Sequence, residues 1–404
     1  MNCIYGKRFE KSLLISFLFI DYKENLVLMR KFLSCLLLLT IVYSCSKDED
    51  KEEIESQEVL SRKIDGPYVM HEGEQMWTYR INDDGGLSVE QLTEKKSVEV
   101  VAPRMTPERF TFDIQQEYSI PSSVTEGNPT IFATSDIEGN YHAFTKLLIG
   151  NGVTDEKLNW SYGSNHLVLV GDMVDRGSFV TQVLWLIYKL DKQAALVGGE
   201  VHFILGNHDI MCMKGDDRYA ADKYLDVARL MKISYKDLFG EDAEIGRWMR
   251  TKNSIEKIGD YIFVHGGIST DVLNLSLSIE ELNEKVKPYY GYDNLNTAPL
   301  DVRILYETSG LFWYRGYVKE KEGAYTKATL EELNKILKYY EAKSIIVGHC
   351  VVDEIGTDYE GGVVTIDVSH PVGSYSNKAC QALLIENGVM YKVNERAKRV
   401  QLRK

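Results

Sequence analysis

Gly171-Asp172-Met173-Val174-Asp175-Arg176-Gly177 packs two carboxylates and a guanidinium into one short stretch. It follows His166-Leu167-Val168-Leu169-Val170, an apolar run that reads as a buried strand. The charged groups therefore fall at the edge of a sheet, where α/β enzymes keep their ligands. Four other apolar runs end in a similar way. Residues 130–134 lead into Ser135-Asp136-Ile137-Glu138-Gly139-Asn140, and 201–205 into Gly206-Asn207-His208-Asp209. Residues 262–264 lead into His265-Gly266-Gly267, and 344–347 into Gly348-His349. A glycine beside a histidine after a strand is commonly only a tight turn. Strand after strand ending in oxygen and imidazole donors instead points to one shared cation site.

Two divalent cations about 3.5 Å apart can share a bridging carboxylate and clamp the attacking and leaving oxygens of a phosphoryl transfer. Asp172, directly behind its strand, is the natural bridge. Arg176 can grip phosphate oxygens in a bidentate fork, a geometry lysine does not supply.

The elements that must hold these groups read as a layered α/β domain over 127–404, with central sheets flanked by helices. Helices are expected over 141–148 and 179–191. The polar, aromatic stretch 211–250 reads as a helical cap inserted between core strands. A strand over 363–366 ends at Asp367, and 382–385 with 389–393 reads as a closing hairpin. Upstream, 65–126 breaks into short β-like pieces at 75–81, 87–92 and 97–102, with a turn at Asp83-Asp84-Gly85-Gly86. It reads as a small β-rich accessory segment without chemistry of its own.

From about 129 to 370 these motifs resemble the calcineurin-like metallophosphoesterase superfamily. Asp175-Arg176-Gly177 is similar to the phosphoprotein phosphatase branch. Gly310-Leu311-Phe312-Trp313-Tyr314-Arg315, paired with Arg218-Tyr219, looks closest to the bacterial Shewanella-like phosphatases. The resemblance implies a metallophosphoesterase fold and two divalent metal ions, manganese, iron or zinc. It implies that Asp136 and Glu138 complete the first metal with Asp172, while Asn207, His265 and His349 complete the second. His208 would be the acid for the leaving oxygen, aimed by Asp175, with Arg176 and Arg315 on the phosphate. Asp209 stands where many relatives have glutamate and is expected behind the ligands.

Glu138 departs from the family's usual Asp-x-His. A glutamate adds negative charge and favours manganese or iron over zinc. The expected activity is hydrolysis of phosphomonoesters on phosphoproteins, of serine/threonine or tyrosine type, or on small phosphoesters. Hydrolysis of dinucleoside polyphosphates or nucleotides is the alternative. A surface binding protein that lost catalysis through Glu138 is the other, although it would have no need for Asp172, Asn207, His208, His265 and His349 together.

A net charge of -13 argues against nucleic acid as a partner. Residues 1–28 read as an upstream extension ahead of a start at Met29. Residues 29–45 read as a lipoprotein signal, with Arg30-Lys31 before the apolar 32–43 and Val42-Tyr43-Ser44-Cys45 resembling a lipobox. Cys45 would carry the lipid anchor, and 46–64, beginning Ser46-Lys47-Asp48-Glu49-Asp50, would be an acidic tether. Such a protein is expected to be exported and held at the outer membrane or cell surface of a Gram-negative bacterium. The cysteines behind Cys45 are expected to be buried thiols. His166 and His202 begin strands and read as structural, while His370 follows the last motif strand closely enough to line the site.

Overall fold

Along β1 (Asp65–Glu72), β2 (Gln75–Ile81) and β3 (Leu87–Leu92) the chain forms a three-stranded antiparallel sheet, followed by a hairpin of β4 (Ser97–Ala102) and β5 (Glu108–Asp113). The computed structural model describes residues 64–93, 97–103, 108–118, 120–370 and 379–403. The expected leader, Cys45 and the acidic run behind it lie outside the described residues. Among the described residues no helix is long and apolar enough to cross a membrane.

Two six-stranded sheets form the centre. One has the order β13 (Gly356–Asp358), β14 (Val363–Thr365), β12 (Ser344–Val347), β11 (Tyr261–Val264), β10 (Ile255–Ile258) and β6 (Val124–Thr125). The other runs β17 (Arg399–Gln401), β16 (Val389–Asn394), β15 (Gln381–Glu386), β7 (Ile131–Thr134), β8 (His166–Val170) and β9 (Glu200–Ile204). Side chains alternate between the faces of a strand. In β8, Val168 and Val170 join Phe263, Ile346, Leu383 and Ile385 in a core between the sheets. Leu167 and Leu169 face the opposite way, into a larger core beneath the helices. Burial on both faces explains the unbroken apolar runs of β8 and β12.

Helices α1 (Tyr141–Gly150) and α2 (Val180–Ala195) follow β7 and β8. Both run slightly past their expected ends. In the expected cap, α3 (Asn207–Lys214), α4 (Asp222–Met231) and α5 (Glu244–Arg250) do form. They are less a separate cap than a wall of the main core, because Cys212, Tyr224, Val227, Trp248 and Met249 are buried within it. Their apolar positions are scattered among charges, which hides the depth of packing. Cys212, Cys350 and Cys380 are buried and unbridged.

The N-terminal β-rich segment shares that core. Trp185 of α2 stacks on Phe112 with ring centroids 4.2 Å apart and donates from its indole nitrogen to the Pro67 carbonyl at 2.8 Å. Asp65 accepts from the Gln182 amide at 3.1 Å and pairs with buried Lys223 at 3.3 Å.

Candidate metal centre and active site

The parallel register of β7, β8 and β9 brings their C-terminal ends level. The loops behind β7 and β8 then zip together through backbone bonds. Asp136 N donates to Gly171 O, Glu138 N to Asp172 O and Gly139 N to Met173 O, each at 3.0 Å. The loop after β12 is tied to the one after β11 by Gly348 N donating to His265 O at 3.0 Å.

Site residues also crowd into a backbone region that side chains usually avoid. Asp136, Glu138, Asp172, Asp175, Arg176 and His349 all have φ between 49° and 67°. Such left-handed residues cost on the order of 1 kcal/mol or more each and persist where surrounding structure imposes them. Gly206 is required for another reason. A Cβ there would stand 2.3 Å from Asp172 Oδ1 and 2.6 Å from its backbone nitrogen.

Within this frame Asp172, His265 and His349 converge, all three buried. Asp172 Oδ2 lies 3.1 Å from His265 Nε2, and His349 Nδ1 lies 3.2 Å from the same nitrogen. Asn207, in the first turn of α3, sets its Oδ1 3.0 Å from His265 Nε2. His265 Nδ1 donates to the Val170 carbonyl at 2.8 Å, which leaves Nε2 as the coordinating nitrogen. Asp136 accepts from His349 N at 3.1 Å and from the Ser135 hydroxyl. Asp209 sits behind the cluster as expected, accepting from Asp172 N and Gly206 N, both at 2.8 Å.

The electrostatics call for a cation. Burial pushes Asp136 well above the usual carboxylate range, and neighbouring Asp367 and Asp172 add to it. Asp209 is raised to about 7 by burial and by Asp172. Burial would also raise Asp172, but His265, with His208 and His349, outweighs it and holds the carboxyl down at about 2. His265 is correspondingly carried to about 10 against its own burial, mainly by Asp172 and Asp136. Burial, with His265 and Arg315 beside it, keeps His349 neutral, the form that coordinates metals. Crowded carboxylates and a proton held between Asp172 and His265 are what a divalent cation would resolve.

Beside the cluster, His208 N donates to Asp172 Oδ1 at 2.8 Å, and His208 Nδ1 faces Asp175 Oδ2 at 2.8 Å. Asp175 is buried and is met by the Tyr235 hydroxyl and the Cys212 thiol, each at 3.4 Å. His208 Nε2 points the other way and stands 3.2 Å from Arg176 Nη2 and 3.9 Å from Asp172 Oδ2. Arg315 Nη2 is 3.5 Å from His349 Nδ1. Glu138 lies apart from the converging ligands, and its carboxylate is ion-paired with Arg176. His370 is held neutral by burial, to about 4, against the Ser135 backbone.

Three further residues join the site that the spacing of motifs does not assign to it. Asp367, two residues beyond β14, is raised to about 6, first by burial, with Asp172 adding while His265, Arg176 and Arg315 pull it down. Its signal is a carboxylate just beyond β14, but no motif surrounds it. Tyr219 sets its ring 4.9 Å from that of His208 and lies under the guanidinium of Arg176 at 5.5 Å. Trp313 packs edge-on against His349 at 5.7 Å. Neither aromatic follows a strand, so only family resemblance draws notice to the stretches that carry them.

Helix-flanked sheets with carboxylates and imidazoles gathered at their strand ends define a metal-dependent hydrolase of phosphoesters. The chain belongs to the calcineurin-like phosphoesterase family, which it matches over residues 129–353. The solved structure of a protein-tyrosine phosphatase from a psychrophilic Shewanella species is similar to it with a TM-score of 0.76 and 32% identity, covering 84% of this chain and 99% of that one. Shewanella-like protein phosphatase 2 of Arabidopsis thaliana is 25% identical over 55% of this chain and 66% of its own length. Shewanella-like protein phosphatase 1 of Plasmodium berghei is 28% identical over 65% of this chain and 67% of its own. The chain thus spans about two thirds of these two relatives.

Proposed function

We propose that this protein hydrolyses phosphomonoesters on phosphoproteins, with phosphotyrosine as the preferred side chain. The observation that carries the reading is the His208–Asp175 pair, set beside the Asp172, His265 and His349 cluster with Arg176 at hand. In the proposed division of labour, Asp175 accepts from His208 Nδ1–H and aims Nε2 at the leaving oxygen, to which His208 gives a proton. Arg176 and Arg315 hold the non-bridging phosphate oxygens.

We assign two divalent cations to the centre. Asp172, His265, His349 and Asn207 would hold one, and Asp136 with Asp172 the other, with the Asp367 carboxylate acting on Asp136 from beside it. Bound cations would polarise the phosphoryl group and make water a better nucleophile at neutral pH. The weight of carboxylate oxygen favours manganese or iron over zinc. Glu138 is assigned to Arg176 in the resting site and to the cation side only if that ion pair opens.

Preference for an aromatic ester is supported by Tyr219, 45% exposed, and Trp313, which place rings on the His208 and His349 sides of the centre. The similar Shewanella enzyme, a protein-tyrosine phosphatase, points the same way. Turnover should be compared on phosphotyrosine and phosphoserine peptides and on a dinucleoside tetraphosphate, after loading with manganese, iron or zinc. Fastest turnover of the dinucleotide would overturn the protein-phosphatase reading. We further propose export and a lipid anchor at Cys45, on the strength of Arg30-Lys31, the apolar 32–43 and the acidic run behind Cys45. Palmitate labelling that Cys45→Ser fails to abolish would reject it.

A further inference from the structure

The opposite ends of β8 and β9 carry a second set of metal-ligating side chains. His166 opens β8, six residues before Asp172, and so lies about 20 Å from the catalytic edge at about 3.3 Å per residue. His166 pairs in register with Glu200, and His202 follows two residues on, so all three share one face of the sheet. That face is the one that points between the two sheets, since Val168 and Ile204 on it belong to the inter-sheet core. Hydrocarbon is the norm in such a place, and three ionisable groups there need a reason.

Their geometry is convergent. His166 Nδ1 and His202 Nε2 are 2.8 Å apart, and the Glu200 carboxylate stands 3.9 and 3.6 Å from those same nitrogens. A shared proton accounts for the contact between the rings but not for Glu200, which is too far for a hydrogen bond to either. Ligands about 2 Å from a tetrahedral zinc stand about 3.3 Å from one another, so a modest parting of the two rings would seat the ion. The outer partner is also in place. His202 Nδ1 is 2.5 Å from Glu256 Oε2 of β10, and Asn253 donates to the other Glu256 oxygen at 2.9 Å. A carboxylate behind the far nitrogen fixes the ring and leaves Nε2 as the metal-facing atom. His202 and Glu256 are fully buried, whereas the Glu200 side chain is 36% exposed, which leaves a route for the ion and for a water in the fourth position.

We propose that His166, His202 and Glu200 form a structural site for a zinc-class cation between the sheets, separate from the catalytic centre. Two imidazoles and one carboxylate suit zinc better than the harder ions favoured at the carboxylate-rich active site. The ion would join β8 to β9 at their N-terminal ends, and through Glu256 it would bear on β10 of the other sheet. The strands that deliver Asp172, Asn207 and His208 at one end would be clamped at the other.

The full chain, equilibrated with zinc and freed of loose metal, should be assayed for zinc per chain alongside Glu200→Gln and His166→Gln. Glu200→Gln is isosteric and half-exposed, so it keeps the test open if the histidine variant folds poorly. Each folded variant is expected to hold one zinc fewer than the parent, while phosphoester turnover stays within about twofold and the rise in melting temperature on adding zinc shrinks. Equal zinc content in the parent and folded Glu200→Gln overturns the proposal. So does a loss of turnover in step with the lost zinc, which would put that ion at the catalytic centre.

Discussion

Glu138 closes an ion pair on Arg176, the guanidinium to which we assign the substrate phosphate. The Arg176 side chain is 48% exposed and that of Glu138 25%, so solvent screens the pair and its strength is about 0.2–1 kcal/mol. Substrate must compete with it. Glu138→Gln keeps the shape and removes the charge, and should tighten inhibition by inorganic phosphate up to about fivefold, at about 1.4 kcal/mol per tenfold. The check is the phosphate inhibition constant at fixed cation concentration. Weaker phosphate binding together with lost metal would instead make Glu138 a ligand.

His208→Ala should lower kcat by about 10²–10⁴-fold on phosphoserine or phosphotyrosine peptides. The loss should be smaller on nitrophenyl phosphate, whose leaving group departs without needing a proton. Cation content should be unchanged, because His208 stands outside the converging ligands. Equal losses on all these substrates would remove the proton-donor role.

Gly206→Ala should disable the centre without replacing any ligand. Its Cβ would collide with Asp172 Oδ1 and with backbone that cannot swing aside. Overpacking of this kind costs about 1–3 kcal/mol. The expected result is lower stability and weaker cation binding together, measured by thermal melts and by titration with manganese. Parental cation affinity would show that the loop can move.

These residues also mark how far the sequence can be read. Asp172, Asn207, His265 and His349 are legible because each follows an apolar run directly, and the parallel register turns that spacing into proximity. Asp367 obeys the same rule but stands without a motif, so only its neighbours reveal it. Glu138 is legible as a carboxylate near the site and not as the partner of Arg176, because side-chain pairing across two loops leaves no trace in spacing. His166 and His202 look like strand openings, since nothing local in the chain announces Glu256 behind them. The sheet order is hidden for a similar reason: β15, last but two among the strands, pairs with β7, the first of the motif strands.

Metal removal should make stability depend on pH. Without a cation, Asp209 and Asp367 bind protons more tightly folded, at about 7 and about 6, than the roughly 3.9 of an unfolded aspartate. Their contribution is fully present below about pH 4 and is lost as pH rises through about 6–7. Chelated protein should melt progressively lower from about pH 5 to about pH 8, and adding a divalent cation should raise the melting temperature more at the higher pH. A gain independent of pH would separate these carboxylates from the cation.

Trp185→Ala should cost about 3–5 kcal/mol, because the side chain is buried and carries both the Phe112 stack and the bond to Pro67. Urea melts would measure it. A change confined to 65–113, with the rest melting as before, would mean that the β-rich segment folds independently.

The left-handed residues around the centre also bear on timing. Six loop residues already turned into their strained conformations leave little backbone search to be done when an ion arrives. The receptacle is assembled when the chain folds, so exchange of one cation for another should be governed by how fast the ion sheds its water. Swapping manganese for a slowly dehydrating ion would then slow reactivation of chelated protein, with no matching lag in the folding of the chain.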